Sequence, residues 1–113
     1  MNLIKHFSKK ELGGSKNDKL ISNIDFDSDS KQILSFCLLQ TALREGKEYE
    51  IIKYDSAHGF CHAHKYFEDL TDERVMVEPQ INAKTIHFLR KDIKENWLQY
   101  KSIYFWKRFK QMV

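Results

Sequence analysis

The feature that most constrains the fold is a change in apolar spacing along the chain, from an alternating pattern to a helical one. In the C-terminal third, apolar side chains recur every three or four residues, at Ile86, Leu89, Ile93, Trp97, Tyr100 and Tyr104. This spacing predicts one long amphipathic helix over residues 82–111. Asn82 is a suitable residue to cap its start.

Upstream of the helix, the apolar residues follow the pattern of β-strands. Strands are predicted at residues 20–27, 32–43, 48–55, 60–67 and, as a weak edge strand, 73–78. Residues 32–43 are apolar on both faces, which predicts a central strand. Consecutive strands joined by short turns pair antiparallel. We therefore predict an α+β domain, in which a meander of about four antiparallel strands carries the long helix on one face.

The beginning of the chain is predicted to lie outside this sheet. Leu3, Ile4, Phe7 and Leu12 lean to one side of a short helix, which Gly13 and its glycine neighbour would end. A chain of 113 residues suits a single domain. In it, residues 1–19 form an N-terminal arm or short helix, residues 20–78 the sheet and residues 82–111 the C-terminal helix.

Composition excludes several classes of protein. With 42% hydrophobic and 31% charged residues, the chain is globular rather than disordered. Two cysteines are too few for a disulfide scaffold, and we expect them to be reduced thiols in the cytoplasm. No apolar stretch approaches the roughly 20 residues of a membrane span, so we expect no membrane partner.

The C-terminal end of the predicted helix is basic and rich in aromatic residues. Beyond Glu95 there is no further acidic residue, and Lys101, Lys107, Arg108 and Lys110 follow. Such a segment attracts RNA or an acidic protein, or its cations complement the negative pole of the helix dipole. The consecutive aromatic residues at 104–106 point in three directions. Either the N-terminal segment or another chain, such as a second copy in a homodimer, is expected to cover them.

Residues 54–64, with the sequence YDSAHGFCHAH, contain three of the five histidines. On a strand, Phe60, His62, His64 and Tyr66 share one face, while Cys61, Ala63, Lys65 and Phe67 lie on the other. His62 and His64 are then about 7 Å apart at the backbone. Asp55 and His58, at the two ends of the preceding turn, can fold toward the same edge.

Three interpretations of this segment stay open. His58, His62 and His64, with Asp55, form a donor set that suits zinc, although their spacing matches no common zinc ribbon. Alternatively, two histidines act as acid and base in RNA cleavage without a metal, with Lys53 or Lys65 stabilising the phosphate. Finally, Asp55 bonds to turn amides and the histidines decorate an exposed strand face.

At these residues the chain resembles the TumE-type toxins of prokaryotic toxin–antitoxin systems, over about residues 31–100. Their pattern is a strand ending in Tyr-Asp-Asn, a His-Gly turn and then His-x-His. The matching positions are Tyr54, Asp55, His58, Gly59, His62 and His64. Ser56 stands where Asn is usual, and the spacing between the turn and His-x-His is shorter than is common in the family. The resemblance implies a toxin that acts on RNA or translation and is bound by a cognate antitoxin, a small DNA-binding protein.

Together, the residues and the resemblance predict a toxin-like ribonuclease that needs no metal and no cofactor. His62 and His64 are the predicted acid–base pair, and His58 and Asp55 orient them. The residues predicted to hold substrate are Tyr54, Tyr66, Lys53, Lys65, Lys107, Arg108 and Lys110. The alternatives are a non-catalytic protein-interaction module and a metal-dependent hydrolase that uses the histidine cluster.

Overall fold

The computed structural model describes residues 2–56, 61–68, 74–78 and 82–110. The described residues form six strands and one helix. These elements are β1 (Leu3–Leu12), β2 (Ser15–Asp27), β3 (Ile33–Arg44), β4 (Lys47–Asp55), β5 (Cys61–Lys65), β6 (Arg74–Glu78) and α1 (Ala83–Phe109).

The strands form one antiparallel sheet in the order β1-β2-β3-β4-β5-β6, so each strand pairs with its neighbours in sequence. The predicted α+β class, an antiparallel meander with a long C-terminal helix, is confirmed. β3 lies inside the sheet, as its apolar faces predict. The predicted edge strand exists as β6, and the Asn82 cap is confirmed because its Oδ1 accepts a hydrogen bond of 2.8 Å from the Thr85 amide.

The prediction of a short N-terminal helix is wrong, because residues 3–12 form the edge strand β1. β1 pairs with β2 in a regular register from Leu3, opposite Asp27, to Glu11, opposite Lys19. The glycines at 13 and 14 have φ angles of +59° and +73°, and they make the turn of a hairpin instead of ending a helix. The predicted boundary between the N-terminal arm and the sheet, at residue 19, is also wrong, because β2 already begins at Ser15. Pairing with an open sheet edge outweighs the weak local pattern of apolar residues.

Helix α1 crosses one face of the sheet and buries the core there. The even-numbered side chains of β2 and β3, such as Leu20, Phe36 and Leu38, pack beneath the helix residues Ile86 and Leu89. None of the described residues forms a helix on the other face of the sheet, where Phe7 of β1 is 61% exposed. The sheet therefore has a covered face and a helix-free face, and successive side chains of each strand alternate between them.

Polar contacts of Gln40 and Lys101 help to fix the helix across the sheet. The buried Gln40 side chain on β3 donates a hydrogen bond of 2.9 Å to the carbonyl oxygen of Trp97. Lys101 lies 3.2 Å from the buried carboxylate of Asp18 on β2. Within the described ranges, no helical segment has both the length and the apolar character that a membrane crossing requires.

The aromatic end of α1 is covered mainly by β4. The rings of Tyr104 and Phe105 are buried against Tyr49, with centroid distances of 6.1 Å and 5.4 Å. Trp106, on the third side, is 49% exposed. The N-terminal segment, which forms the opposite edge of the sheet, is not what covers these rings.

Candidate acid–base site

The β4–β5 pair brings the predicted histidines together with a carboxylate and an ammonium group. In the register of the two strands, Asp55 lies opposite His62 and Lys53 lies opposite His64. Residues that are directly opposite in an antiparallel pair project on the same face. These four side chains therefore share the helix-free face. The prediction that His62 and His64 share a face is confirmed.

The alternate residues of the same strands belong to the core. Cys61 and Ala63 are fully buried, and Ala63 lies opposite Tyr54 on the face that carries the helix. The prediction that Cys61 points away from the two histidines is confirmed. Lys65 lies opposite Ile52 on this same covered face, and its Nζ is 3.8 Å from a carboxylate oxygen of Glu68.

Asp55 lies between two basic groups. Its Oδ2 is 3.4 Å from Nε2 of His64 and 3.9 Å from Nζ of Lys53. The His62 and His64 rings have centroids 6.3 Å apart, and the Tyr66 ring stacks on His64 at 6.0 Å. Asp55 is thus placed to orient the His64 imidazole, as a carboxylate does in hydrolytic triads. The Tyr66 ring packs beside the same imidazole.

The expectation that the histidines decorate an exposed strand face is wrong. His62 is 6% exposed and His64 is 3% exposed. One reason is that β5 is not the edge of the sheet, because β6 pairs with it on the outer side. Lys53 and Asp55 lie nearer the surface, with side chains 29% and 15% exposed. Among the four described side chains of the site, Lys53 and Asp55 are therefore the more exposed.

Tyr54, a predicted substrate-binding residue, lies on the covered face away from the histidines. Its hydroxyl donates a hydrogen bond of 2.7 Å to Oδ2 of Asp92, and the Tyr100 hydroxyl donates one of 2.8 Å to Oδ1 of the same carboxylate. Burial, followed by the hydrogen bond to Asp92, raises the pKa of both tyrosines. Tyr54 therefore attaches the sheet to the helix. Sequence reasoning missed Asp92, because a lone helical aspartate does not reveal its tertiary partner.

The basic residues at the helix end are also kept apart from the histidine pair. The Lys107 ammonium donates to the carbonyl oxygen of Glu68, and the Arg108 guanidinium lies 5.5 Å from the Tyr49 ring centroid. Both residues are in the last turn of α1, where cations favour the helix dipole. Lys110 follows the helix in a left-handed conformation, with φ of +56°.

His58, a predicted member of the site, and the glycine after it lie outside the described residues. Among the residues that the structure does describe, no group of three His, Cys, Asp or Glu side chains is arranged to hold a metal ion. A neighbour that sequence reasoning missed is Cys37, which lies opposite Asp55 on β3. Burial raises the pKa of its thiol and keeps it protonated. Alternation along β3 predicts its face, but only the strand register places it beside Asp55.

A family model described as a domain of unknown function (DUF7718) matches residues 10–110, which span the chain from the end of β1 through α1. No curated protein and no solved structure matches the chain.

Proposed function

This chain belongs to the DUF7718 family, and we propose that it is a toxin-like ribonuclease that cleaves RNA by general acid–base catalysis without a metal. The observation that carries the proposal is the group of Asp55, His64, His62 and Lys53 on one face of the β4–β5 pair. Histidine titrates near neutral pH, so two histidines can hold a base and an acid at the same time. The resemblance of residues 54–64 to TumE-type toxins supports the same chemistry.

In the proposed reaction, His64 in its neutral form takes the proton of a ribose 2′-hydroxyl. The 2′ oxygen then attacks the adjacent phosphorus atom, and protonated His62 gives its proton to the departing 5′ oxygen. The products are a 2′,3′-cyclic phosphate and a free 5′-hydroxyl. Lys53 stabilises the charge on the phosphate oxygens in the transition state. Asp55 is a positioning residue, which holds the His64 ring in the orientation that the proton transfer needs.

Burial of the histidines sets a condition on this proposal. Both imidazoles are buried, whereas Lys53 and Asp55 beside them are partly exposed. An approaching RNA phosphate would meet the charge of Lys53, and the imidazoles must become accessible to it. As a toxin-like protein, the chain would act on RNA in the cytoplasm, and its cognate antitoxin would block this approach.

The same burial favours a second candidate, a non-catalytic protein-interaction module. Buried polar residues that contact one another often specify a fold rather than a reaction. In this case the Asp55–His64 contact stabilises the β4–β5 pair, and the functional surface lies elsewhere. A cognate antitoxin or a second copy of the chain would then bind to exposed residues such as Trp106.

The experiment that separates the candidates is RNA cleavage by the purified protein in the presence and absence of a chelator. Metal-independent catalysis predicts cleavage that persists with chelator and leaves 2′,3′-cyclic phosphate ends. The variant His64→Gln should lose it, while His87→Gln, which alters an exposed histidine on α1, should retain it. Cleavage that needs a metal would instead support a metal-dependent hydrolase. No cleavage would leave the interaction module. Full cleavage by folded His64→Gln would instead show that His64 is not part of the reaction.

A further inference from the structure

A polar cavity lies on the covered face, between the β1–β2 hairpin and helix α1. It has a volume of about 230 Å³. Its polar lining comes from two strands and the helix, and consists of His6, Ser8, Lys10, Ser22, Arg90 and Lys94. Residues 6 and 10 are two of the even-numbered side chains of β1, which face the helix side. Residues 90 and 94 are one helical turn apart, so their side chains project to the same side of α1.

The basic side chains of this cavity have no carboxylate partner among the described residues. Within the described part of the chain, no carboxylate lies within 4.0 Å of a side-chain nitrogen of His6, Lys10, Arg90 or Lys94. By contrast, Lys91 is 3.8 Å from Glu95 in the same helix. Among the described residues that line the cavity, none is a carboxylate.

One carboxylate lies nearby but is engaged elsewhere. Glu11 lines an adjoining cavity, which shares Lys10 and Lys94 with the first. Its carboxylate lies 3.6 Å from the ammonium of Lys19. The cluster therefore keeps its positive charge, and like charges that converge in one cleft repel each other. An anion in the cleft would remove that repulsion.

The side chains match the chemistry of a phosphate group in particular. The guanidinium of Arg90 presents a planar fork of donors that fits phosphate oxygens, and the two lysines add point charges. Ser8 and Ser22 supply hydroxyl groups, and Leu20 provides an apolar wall beside them. At about 230 Å³, the cavity is smaller than the roughly 300–1,000 Å³ of pockets that enclose whole drug-sized ligands. It therefore suits one phosphate group, with the rest of the ligand outside.

We propose that the cleft of His6, Lys10, Arg90 and Lys94 is a binding site for a phosphate group. The group is either free phosphate or part of a nucleotide or RNA, which share this chemistry. The inference does not depend on the acid–base site, since the cleft lies on the covered face and the histidine pair lies on the helix-free face.

The test is a calorimetric titration of the full chain with three probes: inorganic phosphate, a nucleoside 5′-monophosphate, and a short single-stranded RNA without terminal phosphates. The double variant Arg90→Gln with Lys94→Gln should weaken binding by about tenfold to a hundredfold, because it removes two charge-assisted contacts. Lys91→Gln is the matched control on α1, and Lys9→Gln is the matched control for Lys10→Gln on β1. For the RNA probe, each lost contact should reduce the salt-dependence slope by about 0.7.

The three probes also identify the source of the phosphate. Binding of inorganic phosphate alone assigns the cleft to a small anion, and binding of the RNA assigns it to a phosphodiester backbone. Failure of all three probes to bind overturns the proposal. Equal losses in the control variants overturn it as well, because the effect would then be one of net charge. Melting temperatures of the variants establish that each is folded.

Discussion

At the scale of single residues, the burial of His64 changes what its replacement should do. An exposed strand residue seldom contributes more than about 0.5 kcal/mol to stability. His64 is instead buried beside Asp55, and its removal leaves that carboxylate without the imidazole. We expect His64→Gln to lower the free energy of unfolding by about 1–3 kcal/mol, and RNA cleavage by a factor of roughly 10² to 10⁴. Urea unfolding and the cleavage assay measure the two effects separately.

The control for this prediction is His87→Gln on the exposed side of α1. We expect this variant to change the free energy of unfolding by less than about 0.5 kcal/mol. If His64→Gln is as stable as the unaltered protein, the contact with Asp55 contributes nothing and the buried pair has no structural role. If it is less stable but fully active when folded, His64 is not the base.

The phenol of Tyr54 makes a prediction about alkaline pH. Burial and the bond to Asp92 raise its pKa above the ordinary value of 10.0. The folded state therefore holds this proton more tightly than the unfolded state does. The resulting stability is fully present below about pH 10 and is lost as the pH rises further. In Tyr54→Phe, the free energy of unfolding should decline less steeply between about pH 9.5 and 11.

At neutral pH, Tyr54→Phe should lower the free energy of unfolding by about 1–2 kcal/mol, since it removes a hydrogen bond to a charged group. Tyr100→Phe alters the second donor to Asp92 and should show both effects in the same direction. Chemical unfolding at a series of pH values gives both quantities. Equal slopes for Tyr54→Phe and the unaltered protein would show that the phenol ionises as freely in the folded state as in the unfolded state.

At the scale of elements, the β1–β2 turn depends on a close approach to helix α1. A Cβ atom at Gly13 would lie 2.5 Å from Cζ2 of Trp97, whereas one at Gly14 would have no neighbour within 4 Å. Both glycines have positive φ, so alanine is strained at either position by about 1 kcal/mol. Gly13→Ala should lower the free energy of unfolding by at least about 1 kcal/mol more than Gly14→Ala does, because Trp97 or the hairpin must also move. Thermal unfolding of the two variants provides the comparison, and equal melting temperatures would contradict it.

The Asp18–Lys101 pair connects β2 to the helix. Asp18 is buried, and one of its oxygens also accepts a hydrogen bond of 2.6 Å from the Ser15 hydroxyl. Lys101→Met leaves this carboxylate buried without its cation. We expect the variant to lower the free energy of unfolding by about 3 kcal/mol. Replacing both partners, as in Asp18→Leu with Lys101→Met, should recover part of that loss. A double-mutant cycle by urea unfolding measures the coupling.

Lys91→Met is the control for the helix, because Lys91 pairs with Glu95 on the exposed surface. Surface pairs of this kind contribute about 0.5 kcal/mol or less. If Lys101→Met costs no more than Lys91→Met, the attachment of the hairpin to α1 relies on apolar contacts alone.

At the scale of the whole molecule, the core contacts between sheet and helix predict a fold that does not depend on a metal. The buried core extends from Leu12 and Leu20 through Leu38 and Ile52 to Phe105, and such a core stabilises a domain of this size without a metal. A chelator should therefore shift the melting temperature by less than about 1 °C, whereas a structural metal site would unfold when stripped. Differential scanning calorimetry with and without chelator tests this, and elemental analysis of untagged protein accompanies it. Stoichiometric zinc together with a large shift would favour the metal interpretation.

Local patterns in the sequence were sufficient where one segment determines its own environment. The three- and four-residue spacing from Ile86 to Tyr104 predicts α1 within a few residues of its observed ends, because an amphipathic helix needs only one apolar face. The two-residue period likewise places His62 and His64 on one face and Cys61 on the other, because the alternation of a strand does not depend on its partners. The order of strands followed from their short connections.

Tertiary structure alone decided what depends on residues far apart in sequence. β1 is a strand because an open sheet edge was present to pair with it, which no local pattern records. The histidines are buried because of their surroundings in the folded sheet. Tyr54 contacts Asp92, 38 residues later in the sequence, because helix α1 crosses its face of the sheet. The phosphate cleft joins Lys10 to Arg90 in the same way. The sequence by itself determined the elements and their faces, since these follow from local periodicity. Burial, charge pairing and the composition of each site follow from packing between distant segments, and that packing appears only in the folded chain.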